Sequence, residues 1–195
     1  MSQLLRTLLP EPLVKINGQS VFLRVPLMVD WQAWSELRHE SRKFLTPWEP
    51  TWPGDDLTRP AFRRRLRRYA HDARDDQGYA FLVFRVDDGA LVGGITVSGV
   101  RRGVTQSASM GYWMGARFAG QGLMTDAVRA LLPWLFDTLR LHRVEAACLP
   151  SNEPSKALLH RVGFHEEGYA RQYLKINGAW EDHLLFGMLA SDRRS

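Results

Sequence analysis

The sequence predicts a single-domain α/β fold, with a mixed and mostly antiparallel central sheet of about seven strands flanked by about four helices. Three observations predict it. The 195 residues are the length of one ordinary domain. The composition, 45% hydrophobic and 24% charged, is that of a globular protein with a buried core. Strand patterns first follow one another and then alternate with helical patterns, an order typical of a mixed sheet with helices on both faces.

The first predicted elements are a strand over residues 20–26 and a helix over residues 31–39, which Asp30 can cap. A proline-rich loop over residues 44–54 follows, in which three prolines oppose regular structure. The loop nevertheless carries four large apolar side chains, namely Phe44, Leu45, Trp48 and Trp52. These side chains either cover the core or line a pocket for an extended substrate, in which case the two tryptophans are the substrate contacts.

An arginine-rich helix carries the basic character of the chain. It is predicted from Arg59 onward because Phe62, Leu66 and Tyr69 recur at helical spacing. Removing its six arginine charges from the formal net charge of +5 leaves −1, and these residues are Arg59, Arg63, Arg64, Arg65, Arg67 and Arg68. The broad arginine face is either an ordinary solvated surface or an electrostatic contact for RNA or another polyanion.

The rest of the chain predicts three meandering strands, a helix, a strand, a second helix and a final hairpin. Asp87–Gly89 and Asn177–Gly178 are hairpin turn signals, and Pro133 predicts a kink within its helix. The predicted elements are strands 79–86, 91–100 and 106–114, helix 125–139, strand 143–149, helix 153–162, and strands 165–176 and 179–189.

Several classes of protein are disfavoured. The single cysteine, Cys148, cannot form an internal disulfide, and no Cys/His cluster has the spacing of metal ligands. The longest apolar stretch, about residues 130–136, is too short to cross a membrane, and Arg6 interrupts any signal peptide. We therefore expect a cytoplasmic protein, monomeric or homodimeric, with no metal and no membrane partner.

A glycine-rich turn is the most informative motif. Arg117 precedes the sequence Gly120-Gln121-Gly122, between a strand that ends near Met114 and the start of a helix. Such a turn can direct its backbone amides outward, and the helix N-terminus adds a positive dipole, so the site suits a pyrophosphate. The motif is neither a P-loop nor a dinucleotide-binding fingerprint.

The chain resembles the GNAT superfamily of N-acetyltransferases, whose acetyl-CoA-binding signature is Arg/Gln-x-x-Gly-x-Gly/Ala at this type of strand-to-helix junction. More narrowly, it resembles the bacterial ribosomal-protein-alanine N-acetyltransferases of the RimJ branch. The resemblance runs from about residue 20 to 190, and the segments that carry it are Met110–Gly115, Gly120–Met124, Asn152–Ser155, Arg161–Phe164, Glu167–Ala170, Tyr173–Leu174, Asn177–Trp180 and Asp182–His183.

The resemblance implies an N-acetyltransferase domain over residues 20–190, an N-terminal extension over 1–19 and a C-terminal tail over 191–195. It implies acetyl-CoA as cosubstrate, with Ser155 or Tyr173 as the catalytic group that protonates the leaving thiolate. The cofactor-binding residues that it implies are Met114, Arg117, Gly120, Gln121, Gly122, Leu123, Met124, Thr125 and Asn152. Asn152 and Ser155 also suit the start of a helix, and both roles can coexist.

A dedicated general base is not expected. In the related serine-specific branch, a glutamate that can serve as base lies nineteen positions after the equivalent of Ser155, and here that position is Leu174. Glu167 is the nearest acid in the later predicted strand, 165–176, and its motif neighbours favour a structural role. A peptide α-amine has a pKa of about 7.7–8.0, so part of it is already neutral at physiological pH.

The predicted function is acetyl transfer from acetyl-CoA to the N-terminal amine, of Ala or Ser, of a ribosomal or other protein. One alternative keeps the chemistry but changes the acceptor to a small amine such as an aminoglycoside or a polyamine. A further alternative is a non-enzymatic ribosome- or RNA-associated factor that uses the arginine-rich helix.

Overall fold

The computed structural model describes residues 14–194, which form one eight-stranded sheet with helices on both faces. The strand order is β1-β2-β3-β4-β5-β6-β8-β7, and only the β5–β6 pair is parallel. The strands are β1 (Lys15–Asn17), β2 (Val21–Arg24), β3 (Gly78–Arg85), β4 (Leu91–Arg101), β5 (Ser107–Met114), β6 (Arg143–Cys148), β7 (His165–Ile176) and β8 (Ala179–Leu189). The helices are α1 (Trp31–Glu40), α2 (Arg42–Leu45), α3 (Arg59–Arg74), α4 (Leu123–Pro133) and α5 (Glu153–Val162).

The predicted fold class is confirmed, and the seven predicted strands are all present. The sequence did not indicate β1, whose three residues are too few for a periodic pattern and lie within the predicted extension 1–19. β1 pairs with β2 at the edge of the sheet. Residues 1–13 of that extension lie outside the described residues, and the domain boundaries at 20–190 and 191–195 stay a prediction.

Two helices differ from their predicted extents. The arginine-rich helix α3 continues to Arg74, and its predicted apolar stripe faces inward with Phe62 buried. The predicted helix 125–139 is wrong at both ends, because α4 begins at Leu123 and ends at Pro133. A π-helical turn, Trp134–Thr138, follows, since proline has no amide to donate to the helical ladder at the predicted kink. The predicted absence of regular structure over residues 44–54 is wrong for residues 44–48, which form the end of α2 and a 3-10 turn, Thr46–Trp48. Pro47 lies in the first positions of this turn, where a missing amide is tolerated.

The helices divide between the two faces of the sheet. A Cβ atom built on Gly93 would lie 3.2 Å from Met124 of α4. One built on Gly115 would lie 2.4 Å from Leu37 of α1. Gly93 stands opposite Met114, and consecutive strand residues point to opposite faces, so α4 and α1 pack on different sides of β5. None of the described helices is long and apolar enough to cross a membrane.

Asp126 ties the start of α4 to the β1–β2 turn. Its carboxylate accepts hydrogen bonds from the amides of Gln19 at 3.1 Å, Ser20 at 2.7 Å and Val21 at 3.2 Å. A carboxylate in the first turn also interacts favourably with the helix dipole. The N-terminus of α4 is thereby fixed relative to the sheet, and so is the glycine-rich turn that precedes it.

Candidate active site

The sheet opens into a gap between β5 and β6. Three residues of β5, Ser107–Ser109, pair with Arg143–Glu145 of β6. The pairing stops there, although β5 continues to Met114 and β6 to Cys148. The two strands are therefore joined at one end and diverge toward the other.

The main chain of β5 presents hydrogen-bonding groups to this gap. Gly115 directly follows β5, and its amide donates to the carbonyl of Val92 in β4 at 2.9 Å. Bonded and non-bonded pairs alternate along an antiparallel ladder, so the next pair, Met114 opposite Gly93, is a non-bonded one. The amide of Met114, and that of Tyr112 two residues earlier, consequently point away from β4 and toward the gap.

Ion pairs hold the closed end of the gap together. Arg101 of β4 donates to Glu145 of β6, with 2.7 Å between Nη2 and Oε2. Arg143 of β6 donates to Glu145 at 2.9 Å and, through two further hydrogen bonds, to Glu167 of β7. Three strands are thus cross-linked where β5 and β6 are still paired.

Glu167 belongs to this network and is distant from the open end of the gap. Hydrogen bonding from Arg143 holds the pKa of Glu167 below its usual value, so the carboxylate is charged and occupied. Arg143 stands opposite Ser107, and Tyr112 lies five residues further along β5, roughly 17 Å away at about 3.4 Å per residue. Glu167 therefore lies at the closed end of the gap, bound to Arg143, and its structural role stays a prediction.

The glycine-rich turn leaves a continuous row of backbone amides without partners. Gly120 and Gly122 both have left-handed backbone conformations, with φ of +76° and +77°, and open space where a Cβ atom would stand. No atom of the described residues accepts a hydrogen bond from the amides of residues 120–125. The last three of these amides belong to the first turn of α4, where no intrahelical acceptor exists. The turn therefore has the donors and the dipole of an anion-binding site.

The side chains of this turn support the loop. Arg117 pairs with Glu40 at 3.1 Å and lies over the ring of Phe118. The Gln121 side-chain amide donates to the Arg117 carbonyl at 3.0 Å. The side chains of Leu123, Met124 and Thr125 are buried beneath the turn. In this arrangement, the predicted cofactor contacts from these residues would come from their backbone.

Ser155 lies across the open gap from β5 and bonds to a residue that the sequence analysis missed. Its Oγ is 2.7 Å from the hydroxyl of Tyr112, and its amide donates to the Asn152 side chain, which caps α5. Burial raises the pKa of Tyr112 far above its usual value, so this phenol keeps its proton. The alternation of side chains along this strand indicated the face of the sheet on which Tyr112 lies. It did not indicate that Ser155 of α5 contacts Tyr112 there.

Tyr173, the other predicted catalytic residue, lies in a different environment. It is 47% exposed on an irregular stretch of β7, and its ring contacts His183 at 5.8 Å between centroids. It lines neither the cavity beside Trp52 nor the cavity beside Trp48, and its catalytic role stays a prediction.

Two cavities flank the gap beneath the proline-rich loop, and they separate the two predicted substrate tryptophans. Trp52 lines a cavity of about 360 Å³ together with Tyr112 and Trp113 of β5. Trp48 lines a cavity of about 310 Å³ beside the β7–β8 turn. The Glu49 carbonyl accepts a hydrogen bond from the Asn177 amide of that turn at 2.9 Å, so the loop bridges both sides.

The larger cavity contains two balanced ion pairs that sequence reasoning did not find. Arg38 of α1 donates to both carboxylate oxygens of Glu49 at 2.8 and 2.7 Å, and Trp52 Nε1 donates to the same carboxylate at 2.7 Å. Arg65 of α3 donates to Asp56 at 2.5 Å. Each acid in the wall is thus neutralised by an arginine.

The arginine face of α3 is smaller than predicted. Arg64 pairs with Asp55, and Arg65 turns toward the cavity. Arg59, Arg63, Arg67 and Arg68 remain exposed. RNA contact through this face stays a prediction. Co-sedimentation with ribosomes at increasing salt concentration would measure it, since each phosphate contact adds to the salt dependence.

Comparison with known proteins identifies the family. Residues 21–165 match the acetyltransferase (GNAT) domain. The chain belongs to the GNAT acetyltransferases. It is 34% identical over 177 residues to the probable N-acetyltransferase YjcK of Bacillus subtilis (strain 168), covering 91% of this chain and 98% of that protein. It is 32% identical over 183 residues to the [ribosomal protein uS5]-alanine N-acetyltransferase of Escherichia coli (strain K12), covering 93% of each.

Solved structures agree with this assignment. Mycobacterium smegmatis RimJ in complex with CoA-disulfide superposes with a TM-score of 0.87 and 34% identity, over 94% of this chain and 89% of that one. The ribosomal-protein-S5-alanine acetyltransferase of Vibrio fischeri gives a TM-score of 0.85 and 30% identity, over 92% and 98%. The resemblance stated from the sequence is confirmed, and this GNAT chain is an acetyltransferase.

We expect Glu167→Gln to leave turnover close to that of the parent, because Glu167 belongs to the closed-end network. Since Arg143 lowers the pKa of Glu167, the stability that this carboxylate contributes is present above its unfolded-state pKa and is lost as the pH falls through the lowered folded-state pKa. E167Q should therefore unfold at a lower Tm than the parent at pH 7, and this difference should shrink in acid. A hundredfold loss of turnover in folded E167Q would instead identify Glu167 as a base.

Proposed function

We propose that this GNAT acetyltransferase transfers the acetyl group of acetyl-CoA to the N-terminal α-amine of a protein, with ribosomal proteins that begin with Ala or Ser as acceptors. One observation carries the proposal: six amides with no acceptor among the described residues lie between β5 and the first turn of α4, and a cavity of about 360 Å³ lies beside the gap. Relatives named as ribosomal-protein-alanine N-acetyltransferases support the choice of acceptor.

The residues of the turn and the gap fit acetyl-CoA. The amides of residues 120–125 would hold the pyrophosphate, and a residue larger than glycine at 120 or 122 would project into the space it needs. Asn152 binds the Ser155 amide at the start of α5, and Ser155 contacts Tyr112 of β5, which lines the larger cavity. When bound, acetyl-CoA supplies an activated acetyl thioester.

The chain itself contributes positioning and hydrogen bonds. The Met114 amide, which points toward the gap, is the donor for the carbonyl under attack. Ser155 is the group that gives a proton to the departing sulfur, and Tyr112, protonated and 2.7 Å away, supports it. The α-amine has a pKa of about 7.7–8.0, so orientation can replace a strong base.

The charge balance of the larger cavity favours a peptide over a polycationic small amine. A polyamine or an aminoglycoside needs uncompensated carboxylates, whereas Glu49 and Asp56 are each paired with an arginine. The proline-rich loop also spans both sides of the gap, which suits an extended chain. The alternative of a non-enzymatic RNA-binding factor loses its basis, because the chain belongs to an acetyltransferase family.

The experiment that tests the proposal is acceptor profiling. The purified protein is incubated with acetyl-CoA and a library of peptides with varied N-terminal residues, beside a panel of polyamines and aminoglycosides, and products are read by mass spectrometry. We expect acetylation of α-amines in peptides that begin with Ala or Ser. Acetylation confined to the small amines would overturn the proposed acceptor class.

We expect Gly122→Glu and Gly120→Glu to abolish acetyl-CoA binding measured by calorimetry, because a side chain and a negative charge would enter the pyrophosphate position. Gly103→Glu is the matched control. Gly103 also has a positive φ, of +65°, and open space around its Cβ position, but it lies in the β4–β5 turn. Parent-like affinity in folded G122E would contradict the assignment of the turn.

Tyr112→Phe should lower kcat at least tenfold with little change in KM for acetyl-CoA, because the variant keeps the ring but removes the hydroxyl that contacts Ser155. Tyr169→Phe, which removes a hydroxyl bonded to Asp182 on β7, should keep the parent's kcat. Steady-state kinetics of both variants separate the two cases. A fall in Tm without a fall in kcat would show that Tyr112 acts in packing alone.

A further inference from the structure

Two buried guanidinium nitrogens in the wall of the larger cavity have no hydrogen-bond partner. These atoms are Nε of Arg38 and Nε of Arg65. Among the described residues, no other buried side-chain nitrogen or oxygen atom lacks a hydrogen-bond partner. Arg38 is only 7% exposed, and both arginines line the 360 Å³ cavity. Buried polar atoms are nearly always hydrogen-bonded, so these two N–H groups are candidate donors to a molecule bound in the cavity.

The remaining contacts of both arginines show which hydrogen-bonding positions are taken. The two terminal nitrogens of Arg38 bond to Glu49, and its guanidinium lies over the rings of Trp52 at 4.1 Å and Trp113 at 4.9 Å. Arg65 uses a terminal nitrogen for Asp56 and also interacts with the side chain of Tyr69, which lines the same cavity. In each side chain the Nε–H is a buried donor that no acceptor of the described residues binds.

The chemistry of such a molecule follows from these charges. Nε–H groups donate only, so the ligand must supply hydrogen-bond acceptors, which excludes an ammonium group at this position. Each positive charge is already compensated by Glu49 or Asp56, so a further carboxylate or phosphate would lie beside an acid. A neutral acceptor remains, and the main-chain carbonyl oxygen of a peptide is the common one.

We propose that Arg38 and Arg65 bind main-chain carbonyl oxygens of the acceptor's first residues, and that this contact is what makes a peptide, rather than a simple amine, the preferred acceptor. The inference rests on the proposed function. The cavity is also lined by Gly111, Tyr112 and Trp113 of β5, so a chain bound there would run beside the strand whose amides face the gap. Arg38 and Arg65 are thus acceptor-binding residues that hold the peptide in place and take no part in the chemical step.

Arg65→Lys is the test, and Arg64→Lys is its matched control. The two arginines are neighbours on α3 and bind Asp56 and Asp55 in the same way, but only Arg65 lines the cavity. Lysine keeps the positive charge for the aspartate and removes the Nε–H donor of the guanidinium. Two acceptors are compared: an Ala-initiated tetrapeptide, and 2-aminopropane, which offers an amine and small alkyl groups but no carbonyl.

We expect R65K to raise KM for the tetrapeptide about tenfold, the effect of losing one hydrogen bond from a charged group. KM for acetyl-CoA and kcat/KM for 2-aminopropane should stay at the parent's values, and R64K should match the parent throughout. An unchanged peptide KM in R65K, or an equal loss with 2-aminopropane, would overturn the inference, because the arginine would then only support the loop.

A measurement on the parent keeps the proposal falsifiable if R65K fails to fold. Replacing the first amide bonds of the tetrapeptide by esters leaves the chain length but weakens the carbonyl acceptors. We expect the ester analogue to bind several-fold more weakly, and equal binding would overturn the inference. A parent that acetylates no N-terminal peptide would instead refute the proposed function itself, whereas a peptide-active parent that does not distinguish the esters would refute this inference alone.

Discussion

The divergence of β5 from β6 is the constraint on which the rest of the site depends. Two strands that pair for three residues and then separate leave peptide groups of β5 without a ladder partner. An unpaired buried peptide group costs about 1–3 kcal/mol, so such a gap persists only if the surrounding structure holds it open. The ion pairs of Arg143 with Glu145 and Glu167 fix the closed end, and the Tyr112–Ser155 hydrogen bond connects β5 with α5 beside the open end.

Glu49 connects the gap to the proline-rich loop. Its carboxylate is bound by Arg38 and Trp52, and its carbonyl accepts the Asn177 amide from the β7–β8 turn. One residue therefore joins α1, on the β5 side, with the hairpin on the β6 side. Residues 49–53 of the loop include two prolines and form no helix or strand, so these side-chain and turn contacts define their position more than their own backbone does.

The parts of the fold that were predictable from sequence depend on local chemistry. The glycine-rich turn, the Asn177–Gly178 hairpin and the Asn152 cap each follow from the conformations that a few consecutive residues prefer. The Tyr112–Ser155 contact was not predictable, because strand alternation gives the face of a side chain but not the helix that covers it. β1 was missed for a related reason, since three residues at a sheet edge owe their structure to pairing with β2.

The arginine-rich helix shows why charge along the sequence does not determine charge at a surface. Arg64 and Arg65 are adjacent, and each binds an aspartate nine residues earlier, yet a helix rotates by about 100° per residue and separates their environments. One pair stays in solvent and the other forms part of the cavity wall. A solvated pair of this kind contributes little beyond solubility, about 0–1 kcal/mol. The cavity pair has a fixed geometry, in which the acid occupies a terminal nitrogen and leaves Nε without a partner. The chemical role of each arginine is thus decided by the helix rotation and by the position of its aspartate.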